Sequence, residues 1–204
     1  MPGRNIVKEY VADSFYHIYS RGVNRAPIFH QKKDFEMFLH LLERYLSRKR
    51  SKDMSRHLYP NYSGRIQLLC YALMNNHIHM LVYQTDATVI TDFMRSLLTS
   101  YSIYFNKVHK RVGPVFQSRY KASRITNDQY LDHITRYIHL NPLEWETYEY
   151  SSLPFYMGKQ QASWISPQPI LKLFPDKEQY LQFIRDYESH KEILDEISWE
   201  LADQ

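Results

Sequence analysis

The sequence predicts an α+β fold: a βαββαβ sandwich in which one central antiparallel sheet is backed by two helices, with an added helix and a mainly helical C-terminal extension. Three observations carry this expectation. Between Ile66 and Tyr83, two apolar strand-like runs flank Met74-Asn-Asn76, the pattern of a hairpin. Before and after it, apolar residues recur at helical spacing over 34–46 and roughly 88–108. Segments with strand-like content, 14–20 and 122–126, open and close the series.

Taken in order, Ser14-Phe-Tyr-His-Ile-Tyr-Ser20 is the first strand, and Arg21-Gly-Val-Asn-Arg-Ala-Pro27 is a turn-rich loop with two exposed arginines. Asp34 is placed to cap the first helix, whose apolar positions are Phe35, Phe38, Leu39, Leu42 and Leu46. That helix ends in Arg48-Lys-Arg-Ser-Lys52, an ordinary solvated basic end, and 53–64 is loop. The hairpin strands run Ile66 to Leu73 and His77 to Tyr83, with asparagines at the turn because they tolerate positive φ. The second helix, from Thr88 to Val108, carries Ile90, Phe93, Leu97, Leu98, Tyr101, Ile103, Tyr104 and Phe105 on a broad core face. After the short strand near Ala122 to Thr126, Asn127 or Asp128 caps a helix through Tyr130, Leu131, Ile134, Tyr137, Ile138 and Leu140. Asn141-Pro142 stops it, because proline disfavours helical geometry in the residue before it. The first six elements match a ferredoxin-like sandwich, and this helix is the seventh.

Beyond Pro142 the composition shifts: all three tryptophans, Trp145, Trp164 and Trp199, lie there, and acidic residues gather near the end. Two units are expected, a core domain over 1–142 and an extension over 143–204 packed on it. Ser166-Pro167 looks like a helix start. Asp176 is placed to cap a last helix carrying Tyr180, Phe183, Ile184 and Tyr187, continued by Ile193, Leu194, Ile197 and Leu201.

Composition narrows the class. A chain of 204 residues with 24% charged residues is ordinary for a globular protein. The lone Cys70 excludes an internal disulfide framework and suits a reducing compartment. With no signal-like apolar run at the N-terminus and no apolar stretch of membrane length, a cytoplasmic protein without a membrane partner is expected. Net charge is +4 and the pI about 9.0, a basicity too mild to argue for nucleic acid by itself. The five glycines form neither GxGxxG nor a Walker loop, so a nucleotide-phosphate cradle has no support.

Two stretches carry chemistry. On a strand, His77 and His79 stand on one face while Ile78 and Met80 enter the core, so the pair is either a metal site or a structural pair on a strand rim. Lys107 to Arg124 contains no acidic residue and interleaves Lys107, Lys110, Arg111, Arg119, Lys121 and Arg124 with Phe116 and Tyr120. Cations pair with phosphates and rings stack on bases, which suits a single-strand groove; a solvated basic loop is the plainer alternative. With 18 tyrosines, any single one is more often packing than chemistry.

The run LMNNHIHMLV resembles the His-apolar-His motif of HUH single-tyrosine transposases, and RYIHLNP resembles their nucleophile helix. The pattern is closest to the REP-associated tyrosine transposases: a Tyr-His strand, an Arg-Gly loop, an MPNHxHL-like hairpin, a GxxxQxRY-like segment and YIxLNP, in that order from about Phe15 to Pro142. Asn75 departs from it, standing where the family commonly has proline. The resemblance implies His77 and His79 as metal ligands, Asn141 as a third and weaker one, Tyr137 as nucleophile, and Mg²⁺ or Mn²⁺ as the metal, although histidine ligands suit Zn²⁺ as well. It implies a metal-dependent single-stranded DNA endonuclease and strand transferase acting on hairpin or repeat DNA through a 5′-phosphotyrosine. It leaves a homodimer open, since insertion-sequence relatives exchange the tyrosine helix between two chains.

The residues agree at one point: Tyr137 and Asn141, four apart, share a helix face. Tyr120 and Tyr130 compete as nucleophiles on position alone, and His133 is either a group supporting the site or a surface histidine. Arg136 is expected to point elsewhere. Arg21, Arg25, Arg119, Tyr120, Lys121 and Arg124 are the candidate DNA contacts. The rival functions are a metallohydrolase using metal-bound water and a non-catalytic, domesticated DNA-binding protein. A carboxylate-triad transposase is disfavoured, because neither hairpin strand carries Asp or Glu.

Overall fold

The structure, a computed structural model, describes residues 10–52, 55–126 and 130–186. Four strands, β1 (Ser14–Arg21), β2 (Ile66–Met74), β3 (His77–Gln84) and β4 (Lys121–Ile125), form a sheet of order β2-β3-β1-β4 in which every pair is antiparallel. With α1 (Lys32–Leu46) and α2 (Val89–Val108) as the crossovers, this is the expected ferredoxin-like arrangement.

Strand alternation divides the core in two. Tyr16, Ile18, Leu68, Tyr71, Ile78, Met80 and Val82 face α1 and α2. Leu69, Cys70, Ala72 and Leu81 face the opposite way, against α3 (Leu131–Leu140) and the C-terminal elements α4 (Leu153–Tyr156), α5 (Gln168–Leu171) and α6 (Lys177–Arg185). A bulge between Leu68 and Cys70 places Leu69 and Cys70 consecutively on that second face. The sheet is thus covered on both sides. The described part of the extension shares one apolar cluster with α3, through Leu153, Tyr156, Ile170, Tyr180 and Ile184.

Several local expectations are refined. Asp34 occupies the third position of α1 rather than its cap; Gln31 caps, and the Asp34 carboxylate accepts from the amides of His30 (2.8 Å) and Gln31 (3.1 Å). Neither hairpin asparagine adopts positive φ. The turn is held from outside instead: the Asn75 carbonyl accepts from Ile28 and Phe29 amides, and the Asn76 carbonyl from the Gly22 amide at 2.8 Å. Gly22 cannot be larger, because a Cβ there would overlap the Ala26 carbonyl oxygen. Asn141 keeps helical angles (φ −60, ψ −40) despite Pro142, as the C-cap of α3. In α2, Ile103 is exposed although its neighbours form the core face.

Asp176 caps α6 by accepting from the Gln179 amide at 2.8 Å, and the helix start expected at Ser166-Pro167 is the single turn α5. The expected cap at Asn127 or Asp128, Tyr187, Trp199 and the continuation through Leu201 lie outside the described residues. Among the described residues, no helix is long and apolar enough to cross a membrane.

Candidate active site

The register of β1 on β3 builds the site. Tyr19 lies opposite His79 and Arg21 opposite His77, so His17, Tyr19 and Arg21 share the histidines' face. α3 lies over that face and brings Tyr137 and Asn141 to it. The Tyr137 ring meets the His79 ring edge-on at 5.3 Å between centroids, and the His17 ring at 6.0 Å. Asn141 Oδ1 is 3.0 Å from His77 Nε2. The two stretches singled out in the sequence therefore meet, with the helical offset of four placing the phenol and the amide beside one histidine pair.

Each imidazole is oriented by a neighbour. The Asn76 side-chain amide donates to the Arg25 carbonyl at 3.1 Å, which turns Asn76 Oδ1 toward His77 Nδ1 at 2.6 Å. His77 Nδ1 accordingly carries the proton, and Nε2 presents a lone pair. Burial, opposed only in part by Asn141, pushes His77 down to about 4, so it is neutral at neutral pH. On the next residue inward, His79 Nδ1 and His17 Nε2 are 3.0 Å apart with their rings stacked. Burial, then the neighbouring His17, His77 and Arg21, hold His79 well below the usual imidazole range.

These groups fit a divalent cation. As placed, His77 Nε2 and Asn141 Oδ1 are two acceptors facing each other, an arrangement that a shared cation satisfies. Neutral imidazoles with their second nitrogen engaged are the usual form of histidine ligands. No group of three or more His, Cys, Asp or Glu side chains suited to a metal occurs among the described residues, and Asn141 Oδ1, 3.0 Å from His77 Nε2, is the group that would complete a set of three donors.

The phenol of Tyr137 is half-buried, and burial raises it above its ordinary value; Tyr19 pushes the same way, while Asn141 and Arg21 pull it back. The other faces of α3 are committed to the extension. His139, fully buried, pairs through Nδ1 with the Tyr180 hydroxyl and through Nε2 with Ser152 Oγ, both at 2.7 Å. Ser152 Oγ in turn accepts from the Tyr71 amide of β2 at 2.9 Å. Arg136 is 0% exposed with its guanidinium 3.4 Å from the Phe183 ring centroid, pointing away from Tyr137 as expected. His133 also meets Phe183, so it belongs to this interface rather than to the histidine site. Tyr130 is exposed at the start of α3.

The candidate DNA contacts separate into groups. Arg21 and Lys121 lie on the histidine face, Lys121 by pairing with Tyr19. Arg25 is exposed in the adjacent loop, on left-handed backbone. The basic segment docks along that loop: the Val23 amide donates to the Val115 carbonyl and the Gln117 amide to the Arg21 carbonyl. Arg124, paired with Tyr16, faces the other side of the sheet. Arg119 is exposed and borders a groove of about 610 Å³ against α2, also on that other side. Tyr120 is a correction. It is 7% exposed, packed in the α1–α2 core and bonded to the Tyr10 hydroxyl at 2.7 Å, so it offers no face to a base.

A ferredoxin-like sheet carrying paired histidines under a tyrosine helix defines a class, and the sequence comparison gives its family: residues 10–141 match the model described as IS200-like transposase, and the chain belongs to that family. Among solved structures, it is similar to the REP-associated tyrosine transposase bound to a REP hairpin, at 12% identity and a TM-score of 0.55, covering 80% of this chain and 92% of that one. A Deinococcus radiodurans R1 protein assigned as a transposase aligns at 15% identity and a TM-score of 0.40, covering 68% of this chain and 95% of that one. No curated protein sequence matches the chain.

Proposed function

We propose that this transposase-family chain is a metal-dependent single-stranded DNA endonuclease and strand transferase, with Tyr137 as nucleophile and His77, His79 and Asn141 as metal ligands. The observation that carries the reading is the convergence of Tyr137 and Asn141, from one helix, on two neutral histidines whose outer nitrogens are already engaged. A bound Mg²⁺ or Mn²⁺ would supply Lewis-acid polarisation of the scissile phosphate.

The protein's own groups do the rest. Tyr137 Oη forms a bond to phosphorus as the P–O3′ bond breaks; the phenolic proton leaves to solvent, and the departing 3′-oxygen takes one up. The products are a 5′-phosphotyrosine and a free 3′-OH. Because the ester is conserved in number, a second 3′-OH can attack the same phosphorus, restore the phenol and join strands. Burial disfavours the phenolate, so the positive field of Arg21 promotes the attack.

The substrate class, a hairpin-forming or repeat single strand, is supported by family membership and by the arginines of the Arg-Gly loop beside the site. The solved relative was captured on a REP hairpin, which favours the same class here. The test is incubation with labelled hairpin DNA from the protein's own genome and Mn²⁺, followed by a denaturing gel. A covalent protein–DNA adduct that disappears in Tyr137→Phe is expected. Cleavage that survives Tyr137→Phe without an adduct would establish hydrolysis by metal-bound water instead, and binding without cleavage a domesticated DNA-binding protein.

A further inference from the structure

The histidine face holds donors that no group among the described residues accepts. Tyr19 is 8% exposed, with its ring against His79 (4.9 Å between centroids) and His77 (5.7 Å), yet among the described residues its hydroxyl finds no acceptor. Two residues along the same strand face, the Arg21 guanidinium stands 5.2 Å from the Tyr19 ring centroid, and its buried Nε is likewise without a partner. Directly across from Tyr19 on β4 is Lys121, half-buried on the same face. Burial, and then Arg21, hold the Lys121 ammonium below its usual range, so the two cations feel each other across this patch.

A buried donor without an acceptor costs about 1–3 kcal/mol, and native proteins seldom leave one. Here two unpaired donors and a lysine converge next to the histidines. What they lack in common is a ligand with negative charge and several acceptor oxygens.

We infer that Tyr19, Arg21 and Lys121 form a phosphate subsite beside the histidine pair, in which the Tyr19 hydroxyl donates to a non-bridging oxygen of the scissile phosphodiester. This rests on the proposed function and adds a catalytic residue to it. Tyr19 keeps its proton throughout and forms no covalent bond. Its hydrogen bond shortens as charge gathers on the oxygen in the transition state, and Arg21 and Lys121 hold the same group in register for attack by Tyr137.

The full-length Tyr19→Phe protein tests this, since it retains the ring contacts with both histidines and loses only the donor. Cleavage of hairpin DNA in single turnover is expected to slow by about a hundredfold, with Mn²⁺ affinity by calorimetry and thermal unfolding unchanged. With Rp and Sp phosphorothioates at the scissile position, the ratio of the two rates is expected to shift in Tyr19→Phe, which a merely structural role would not produce. A wild-type rate with an unchanged Rp/Sp ratio overturns the subsite and leaves the proposed function standing, whereas an adduct that maps to Tyr19 by peptide sequencing overturns both the subsite and the assignment of Tyr137 as nucleophile.

If the wild-type chain itself forms no adduct, the proposed function falls and a metal-free measurement decides the subsite alone. In EDTA, octathymidylate binding followed by anisotropy is expected to weaken about tenfold in Arg21→Gln and in Lys121→Gln, with a shallower salt dependence. Equal affinity and equal salt slope in all three proteins overturn it.

Discussion

The tie between α3 and the extension can be measured as a coupling energy. His139 is fully buried and its two nitrogens face Tyr180 Oη and Ser152 Oγ, each at 2.7 Å. Tyr180→Phe removes one hydroxyl and opens almost no volume. It forfeits a buried hydrogen bond of about 1 kcal/mol and strands a histidine nitrogen, for about 2–3 kcal/mol in all. His139→Leu strands the Tyr180 hydroxyl, whereas Ser152 Oγ keeps the Tyr71 amide as donor, so its cost is similar. In the double variant neither polar group remains, and removing both partners costs far less than the sum of the two single changes. The expected coupling is about 1–2 kcal/mol, read by urea unfolding of all four proteins at one pH. Because Tyr137 lies two residues from His139, the single variants are also expected to slow adduct formation while leaving Mn²⁺ affinity intact. Additivity within about 0.5 kcal/mol would refute the reasoning, since it is the result for side chains that do not share a bond.

Two further expectations concern the histidines. Burial pushes both His17 and His139 down to about 3, against about 6.5 for an unfolded imidazole. The unfolded chain binds the extra protons between those values, so stability is full above about pH 6.5 and falls as the pH drops, by about 1.4 kcal/mol per unit for each group. Unfolding free energies measured from pH 7.5 to 5 should decline accordingly, and a flat profile would show that these histidines titrate normally in the fold. Asn76→Ala releases His77 Nδ1 from its acceptor and is expected to weaken Mn²⁺ binding by about 10–100-fold; calorimetry giving wild-type affinity would dismiss Asn76 as the group that orients His77.

The hairpin and the tyrosine helix were legible in the sequence because both signals are local. Alternation alone puts His77 and His79 on one face, and an offset of four alone puts Asn141 beside Tyr137. His17 and Tyr19 were missed as site residues because their significance is a matter of register between β1 and β3, which no local pattern encodes. The signal that could have found them was the βαββαβ order itself: it makes β1 the neighbour of β3, and alternation then lines up His17, Tyr19 and Arg21. Tyr120 shows the converse, since an aromatic residue in a basic run looks like a stacking platform until the chain turns its ring into the core. The alternation also separates Lys121 from Arg124, which the charge run had grouped together. The asparagine turn needed no positive φ because Ile28, Phe29 and Gly22 amides hold it, contacts that belong to a different stretch of chain.

The same helix that presents Tyr137 to the sheet presents His139 and Arg136 to Tyr180 and Phe183. For α3 to serve the histidines of a neighbouring copy, it would have to abandon a buried imidazole and a buried guanidinium, or carry α6 across with it. Helix exchange in this chain is thereby a matter of moving a packed unit rather than swinging a single arm, and even with α6 carried along, α3 would have to give up the bond from His139 to Ser152, which is tied to β2.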